Sequence, residues 1–552
     1  MYKCENCGGD LIFDPKSQQM KCVSCSTLFP IDASRDKDIE VQEDGAIEAD
    51  VFVCPNCGGQ LIGAQESIVD FCPYCGTQVK TKTEKIQKKM PEAIVPFSVT
   101  RDQVKDIYRK STKKFIFAPS EMKSDKYLDK VQGVYVPYWS YFCDVNGHVS
   151  NECVDEHRSG DYIITKYYDV SADVKGQAIV SYDASKELDD DLSQGAGGFK
   201  DETIKKFTPQ YLSGYYADLP DVPAEVHVND ANQSIRAASA NKVMADENMK
   251  VIRTDTNGLT VNVTPRRTAM PLYFLTWRDQ NKVSYSLING QSGKFSGKLP
   301  IETKKFVITS ILFAIPLFLL FFLMPNTIQP EALAVFSGFI MLFAMLAAVI
   351  TGKQAYNSEK AMFEAEKTKD QGNNPNMPDL SSLQNIPGVP NIPTALPTSD
   401  SVKKLLKGVI GFVIFLIFAA ACITIFGSQG INPHHKLNSM RAVVLILGII
   451  LFIIALVFTG MAKSKAKLHP EGWFNDIAKC MALAGFPALI GILLSGALTF
   501  INLVHDGIYY GIAIYTFVIA ILIFFNVIDE FNFTVTRPST YFERRKGLRD
   551  YV

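Results

Sequence analysis

The sequence predicts a multi-domain membrane protein: two small zinc-ribbon β units, an α+β soluble domain, and an all-α transmembrane region of six helices. Three observations predict it. Eight of the twelve cysteines fall before residue 76 in two copies of one pattern; residues 91–300 mix strand-like and helix-like stretches; and the 47% hydrophobic content is concentrated after residue 300. The expected segments are 1–30 ribbon 1, 31–50 an acidic linker, 51–79 ribbon 2, 80–93 a basic linker and 94–303 the α+β domain. They continue with 304–352 as a two-helix hairpin, 353–404 as a disordered loop, 405–530 as a four-helix region and 531–552 as a basic tail.

The first copy is Cys4, Cys7, Cys22 and Cys25, and the second, offset by fifty residues, is Cys54, Cys57, Cys72 and Cys75. Each is Cys-x2-Cys, fourteen residues, Cys-x2-Cys, and the copies also agree beyond the cysteines, with CENCGGDLI at 4–12 against CPNCGGQLI at 54–62. Two thiolates three positions apart can hold one metal from a tight knuckle, and a second knuckle across a short hairpin completes a four-sulfur set. The expectation is two structural Zn(II) ions, since neither set leaves an open position and a hairpin this small lacks a core. Gly8, Gly58 and Gly76 follow the second cysteine of their knuckles, where unusual backbone torsions are needed. Ser26 takes that place after Cys25. A disulfide-rich module is the competing reading, opposed by the cytosolic character expected of these loops.

Charge argues about partners. Residues 1–79 hold five basic and thirteen acidic residues, a formal balance of −8. A polyanion would be repelled, so no nucleic acid is expected. The stretch 80–89 turns basic, with Lys80, Lys82, Lys85, Lys88 and Lys89, and reads as a solvated hinge or a contact for anionic lipid. The chain opens MYKC with no apolar run, so no signal peptide is expected.

In the α+β domain, Thr100 is a candidate N-cap for a helix to residue 115, and 201–215 and 230–246 read as further helices. Strands are expected at 133–142, 162–170, 177–182, 259–264, 272–277 and 283–288, from β-branched and aromatic density. Chemistry is sparse. His148 and His157 flank Cys153 with Cys143 nearby, but match no ligand spacing, and the Asp189-Asp-Asp stretch and the 195–198 glycine loop lack the Lys or Ser/Thr of a phosphate site. The expectation is no catalytic residues, no other cofactor and no enzyme.

Six runs, 306–324, 332–350, 408–426, 442–461, 480–501 and 507–528, have about the length needed to cross a bilayer. Lysines and arginines in the flanks, from Lys304 and Lys305 through Lys353, Lys404, Lys463 and Lys467 to Arg544, Arg545 and Arg549, fall on one side; alternate loops hold only Lys436 and Arg441. That bias predicts cytosolic N- and C-termini for a multi-pass integral membrane protein in the cell membrane. Intramembrane charges are missing from the runs, which favours a lipid-facing scaffold over a polar-solute pathway.

Twin ribbons, VPF at 95–97, QGVYVPYW at 132–139, PLYFLTW at 271–277 and INGQSGKFSGKLP at 288–300 resemble the bacterial YdjG-type (TFIIB-type) zinc-ribbon membrane protein family, over about residues 1–325. That resemblance implies association with flotillin-like SPFH oligomers and TPM-domain membrane proteins in envelope stress. The function expected is a membrane-anchored zinc-ribbon adaptor that assembles protein partners at the cytosolic face of the bilayer. A transporter or channel component with a zinc-ribbon head is the alternative, and a nucleic-acid-binding regulator the third.

Overall fold

The computed structural model describes residues 2–32, 46–62, 71–78, 83–159, 162–186, 188–200, 203–243, 250–279, 282–323, 330–371 and 506–538, with a few isolated positions between 450 and 491. The first cysteine copy forms its own three-stranded antiparallel sheet from β1 (Leu11–Asp14), β2 (Gln19–Cys22) and β3 (Leu28–Phe29). Everything strand-like that follows joins one mixed sheet of thirteen strands. It takes in β4 (Ala46–Val53), β5 (Gln60–Ile62), β6 (Thr83–Lys89) and β7 (Ala93–Ile94). After α1 (Arg101–Thr112) and α2 (Asp125–Leu128) come β8 (Gln132–Ser159) and β9 (Tyr162–Asp183). Then follow α3 (Asp190–Ala196), β10 (Lys205–Lys206), β11 (Tyr216–Asp218), α4 (Val228–Lys242), β12 (Lys250–Asp255), β13 (Leu259–Asp279), β14 (Lys282–Asn289) and β15 (Phe295–Gly297).

Three strands dominate. β8, β9 and β13 run 28, 22 and 21 residues, far beyond the usual five or six. The expected separate strands at 162–170 and 177–182, and at 259–264 and 272–277, are each parts of one continuous strand, because β8 offers an unbroken antiparallel partner on both sides. Near their shared base, residues 268–275 of β13 are buried without alternation. Such a run needs both faces covered. On one face Tyr135, Tyr273, Leu275 and Ile288 meet Val104 and Tyr108 of α1, Leu128 of α2 and ribbon 1; on the other, Val134, Val136, Leu272 and Phe274 meet ribbon 2. Further out, α4 covers Tyr141, Cys143 and Val149, and Asn151 Nδ2 donates to the Ala240 and Val243 carbonyls at 2.7 Å.

The helix expected from Thr100 is present, with a reciprocal capping box between Thr100 and Gln103. The one expected at 201–215 is replaced, among described residues, by β10 and a 3-10 turn at Pro209–Leu212, and β11 follows it. Pro209 starts that turn, and the chain beyond it is recruited as a strand by β8 and β5. The two expected linkers are also partly strand. β4 begins at Ala46 and pairs antiparallel with β6, setting Asp50 opposite Lys85 and Glu48 opposite Gln87. An acidic stretch and a basic one, each solvated when read alone, become neighbours in one ladder.

The expected six-helix transmembrane region is corrected. Seven α-helices are described, the last three being α5 (Thr303–Leu323), α6 (Pro330–Gln371) and α7 (Asp506–Val535). Among the described residues two stretches, Phe336–Asn357 and Gly507–Asn532, are long and apolar enough to cross a membrane, beside a large sheet-rich body. The run at 408–426, nearly all of those at 442–461 and 480–501, and the loop from residue 372 lie outside the described residues. Length and apolarity identify a helix that could span, but a helix packed against protein passes the same test; 56% of the Phe336–Asn357 stretch is buried within the protein.

The ends of this helical part are tied to the body. The Glu302 amide donates to the Phe117 carbonyl at 2.8 Å before α5 starts. At the end of α7, Asn532 Nδ2 donates to the Ile301 carbonyl at 2.8 Å, and β16 (Arg537–Pro538) pairs with Lys282 and Val283 of β14. The tail from residue 539 lies outside the described residues.

Candidate metal centres

The eight predicted cysteines come together as two groups of four, and in each group the sulfurs all lie within 4.8 Å of one another. Each knuckle is built by the same pair of backbone bonds. The Cys4 amide donates to the Gly9 carbonyl at 2.7 Å and the Gly8 amide to the Cys4 carbonyl at 2.8 Å; Cys54 with Gly59 and Gly58 repeats this at 2.9 and 2.8 Å. The second knuckles use Cys22 with Thr27 and Cys72 with Thr77.

The donor geometry suits a metal and not a disulfide. The nearest sulfur pairs are Cys7–Cys22 at 3.4 Å and Cys4–Cys25, Cys54–Cys75 and Cys57–Cys72 at 3.6 Å. A tetrahedron with metal–sulfur bonds of about 2.3 Å has edges of about 3.8 Å, whereas a disulfide needs about 2.05 Å. Protonation tells the same story. The Thr27 hydroxyl and amide, with help from the Cys7 thiol, hold Cys25 down at about 6; Cys7, although the Gly9 amide lowers it, is pushed up to about 12 by its bonds with Cys22 and Cys25. In the second group, hydrogen bonds from Cys54 first, then Cys57 and Cys72, pull Cys75 far below the ordinary thiol range; the bond to Cys54 raises Cys57, and burial raises Cys72. Four sulfurs this close divide into thiol donors and thiolate acceptors, and a cation would let all four carry charge.

Backbone torsion distinguishes the knuckles. Gly76 sits at φ 64°, and a Cβ there would come within 3.1 Å of the Thr276 side chain, so both conformation and space demand glycine. Ser26 adopts φ 60° with an exposed side chain. Ser26→Gly is therefore expected to stabilise ribbon 1 by up to about 1 kcal/mol, read as slower metal loss to a chelator; faster loss would contradict it.

The two centres differ in setting. All four cysteines of the second group are buried, whereas Cys7 and Cys25 are exposed. Ribbon 2 is part of the large sheet, because β4 and β5 pair with β6 and β11. Tyr74, between Cys72 and Cys75, is fully buried against Phe274, and its hydroxyl donates to Asp218 Oδ2, which also accepts from Ser185 Oγ at 2.6 Å. Thr276 Oγ1 donates to the Pro73 carbonyl and Arg278 Nη1 to the Cys75 carbonyl at 3.3 Å. Ribbon 1 docks on the opposite face through Phe13, whose ring meets Tyr211 at 5.1 Å, and through Ser213, whose Oγ donates to the Leu11 carbonyl at 2.6 Å.

Sequence reasoning missed Tyr74 and the residues that support it and its knuckle, Asp218, Ser185, Thr276 and Arg278, which lie more than a hundred residues from ribbon 2. It also missed Thr27 and Thr77, whose hydroxyls sit 3.1 Å from the Cys25 and Cys75 sulfurs. That pair was legible, since each copy ends Cys-x-Thr. Cys143, His148, Cys153 and His157 are spread along β8: both cysteines are buried in the strand, and His148 meets Asp173 at 2.9 Å. Asp189 caps α3, and residues 195–196 of the glycine stretch complete that helix.

The chain is similar to the uncharacterized protein YdjG of Bacillus subtilis (strain 168), with 26% identity over 313 residues that cover 55% of this chain and 91% of that protein. No family model matches the chain, and no solved structure matches it.

Proposed function

We propose that this chain is a zinc-ribbon adaptor attached to a membrane, without catalytic activity, that gathers protein partners on the cytosolic side. The observation that carries the reading is the pair of closed four-sulfur groups on opposite faces of one sheet, in a body bonded to the start of α5 at Phe117 and, through β14 and β16, to the end of α7. Zinc is the metal that best suits a closed four-thiolate set with a structural role.

A ribbon made rigid by metal and sheet loses little conformational entropy on docking. Ribbon 1 leaves Val23 63% and Leu28 45% exposed, a small apolar surface available to a partner. The resemblance to YdjG-type proteins makes an SPFH-type oligomer or a TPM-domain membrane protein the partners to test first. Phe336–Asn357 and Gly507–Asn532 supply the membrane attachment in this reading. Because α5 leaves the body and α7 ends against it, an even number of crossings separates residues 303 and 535, consistent with the one-sided lysine and arginine bias.

The test is affinity purification of the full-length chain from membranes in mild detergent, with elemental analysis of the product. The expected result is two zinc ions per chain and a co-purifying protein that is released on chelation. Recovery of nucleic acid that dissociates steeply with salt would overturn the adaptor reading.

A further inference from the structure

The stretch after α1 meets the first turn of α5, and these two segments carry five lysines: Lys113, Lys114, Lys123, Lys304 and Lys305. Among the described residues none of their ammonium groups forms an ion pair, although Glu121 and Glu302 lie on the same segments. The junction is built tightly. Lys305 Nζ donates to the Ala118 carbonyl at 3.1 Å, Lys123 Nζ to the Phe115 carbonyl at 2.9 Å, and the Phe117 and Phe306 rings meet edge-on at 5.1 Å. Partial burial, with repulsion from Lys305, lowers Lys123, as expected of uncompensated cations.

Apolar surface begins where the charge ends. Ile116, two residues after Lys114, is 54% exposed, and Ile308, Leu312 and Phe313 of α5 are exposed at 59%, 62% and 70%. Side chains of this kind in successive turns of a helix are poorly placed in water. Lysines flanking such a helix lay their stems along apolar surface and put their charge at the level of lipid headgroups.

We infer that the junction of α1 and α5 is a binding surface for anionic phospholipid headgroups, with Lys113, Lys114, Lys123, Lys304 and Lys305 as the cationic contacts and Ile116 as the inserted apolar residue. This rests on the membrane attachment proposed above. Charge complementarity selects anionic lipid, and continuity with the exposed face of α5 selects a bilayer over a soluble phosphate. The surface would set the body against the membrane at a fixed height.

The experiment is amide hydrogen exchange of the full-length chain in nanodiscs of phosphatidylcholine alone and of phosphatidylcholine with about 30% phosphatidylglycerol. Each lysine close to an anionic surface contributes a factor of about five in affinity, so with Lys113 and Lys114 alone engaged exchange over residues 113–123 is expected to slow by at least about 25-fold in the anionic discs. Lys113→Glu with Lys114→Glu should abolish that difference while leaving exchange in the knuckles unchanged, since both side chains are exposed. Equal exchange in the two discs would overturn the inference while leaving membrane attachment intact, and so would the same protection produced by inorganic phosphate in neutral discs. A chain that enters neither disc and is released from membranes by carbonate would overturn both.

Discussion

Replacing Cys54 and Cys57 with serine is expected to lower bound metal from two ions to one and to weaken the whole sheet-rich body, not ribbon 2 alone. The ribbon contributes β4 and β5 to the thirteen-stranded sheet, and Cys54, Cys57, Leu61, Tyr74 and Phe274 share one core. Without the metal, the knuckle that aims Tyr74 at Asp218 is released, leaving a buried carboxylate with one partner fewer; that alone costs about 1–3 kcal/mol. Metal binding by isolated ribbons is worth about 10–16 kcal/mol, comparable to the total stability of an ordinary domain. The companion pair, Cys7→Ser with Cys25→Ser, should also remove one ion, yet leave the thirteen-stranded sheet paired, because the strands of ribbon 1 form a sheet of their own. Elemental analysis with thermal unfolding followed by near-ultraviolet circular dichroism separates the outcomes. Equal small effects from the two pairs would contradict the integrated placement of ribbon 2. The exposure of Cys7 and Cys25 against four buried cysteines further implies that a chelator or mild oxidant empties ribbon 1 first.

Phe97→Ala is the second large effect, expected to destabilise the body by about 3–5 kcal/mol. The ring is fully buried and contacts three tyrosines, stacking on Tyr215 at 4.2 Å and meeting Tyr273 at 4.7 Å and Tyr135 at 4.8 Å. Gly290 completes the fit, since a Cβ there would come within 2.4 Å of the Phe97 ring. Little can collapse into the cavity, because Tyr273 is held by its bond to the Val99 carbonyl at 2.7 Å and Tyr135 by the Phe97 amide at 3.4 Å. Phe97→Leu, which keeps most of the volume, should cost less than half as much. A shift of the urea midpoint at constant slope would measure both, and a loss under about 1 kcal/mol for the alanine variant would show that the aromatic cluster is not the keystone of this face.

Local information was the part of this protein that could be read in advance. Cys4 to Cys25 and Cys54 to Cys75 are each a complete set of four within a short stretch, so spacing alone identified both four-cysteine groups, and the glycines after three knuckles told of the torsions found there. The Thr100 cap and α1 were equally local, as were the strand-forming runs around Val134 and Tyr273.

Partners distant in the chain decided the rest. Asp50 and Lys85 read as members of two solvated linkers until the register placed them across one ladder, and 201–215 read as helix, whereas the chain there forms β10 and a 3-10 turn and leads into β11, which pairs with β8 and β5. Ribbon 2 belongs to the sheet because Tyr74 meets Asp218 and Phe274, contacts that no spacing within residues 54–75 encodes. The helical part divides in the same way. Apolar length is a property of the sequence, so the capacity of 507–528 to cross a membrane was legible, whereas the burial of Phe336–Asn357 against protein depends on which surface each helix meets. Sequence by itself determined what is fixed by bonds and spacings within about twenty residues; tertiary structure alone decided which of those units fuse, because burial is shared between residues hundreds of positions apart.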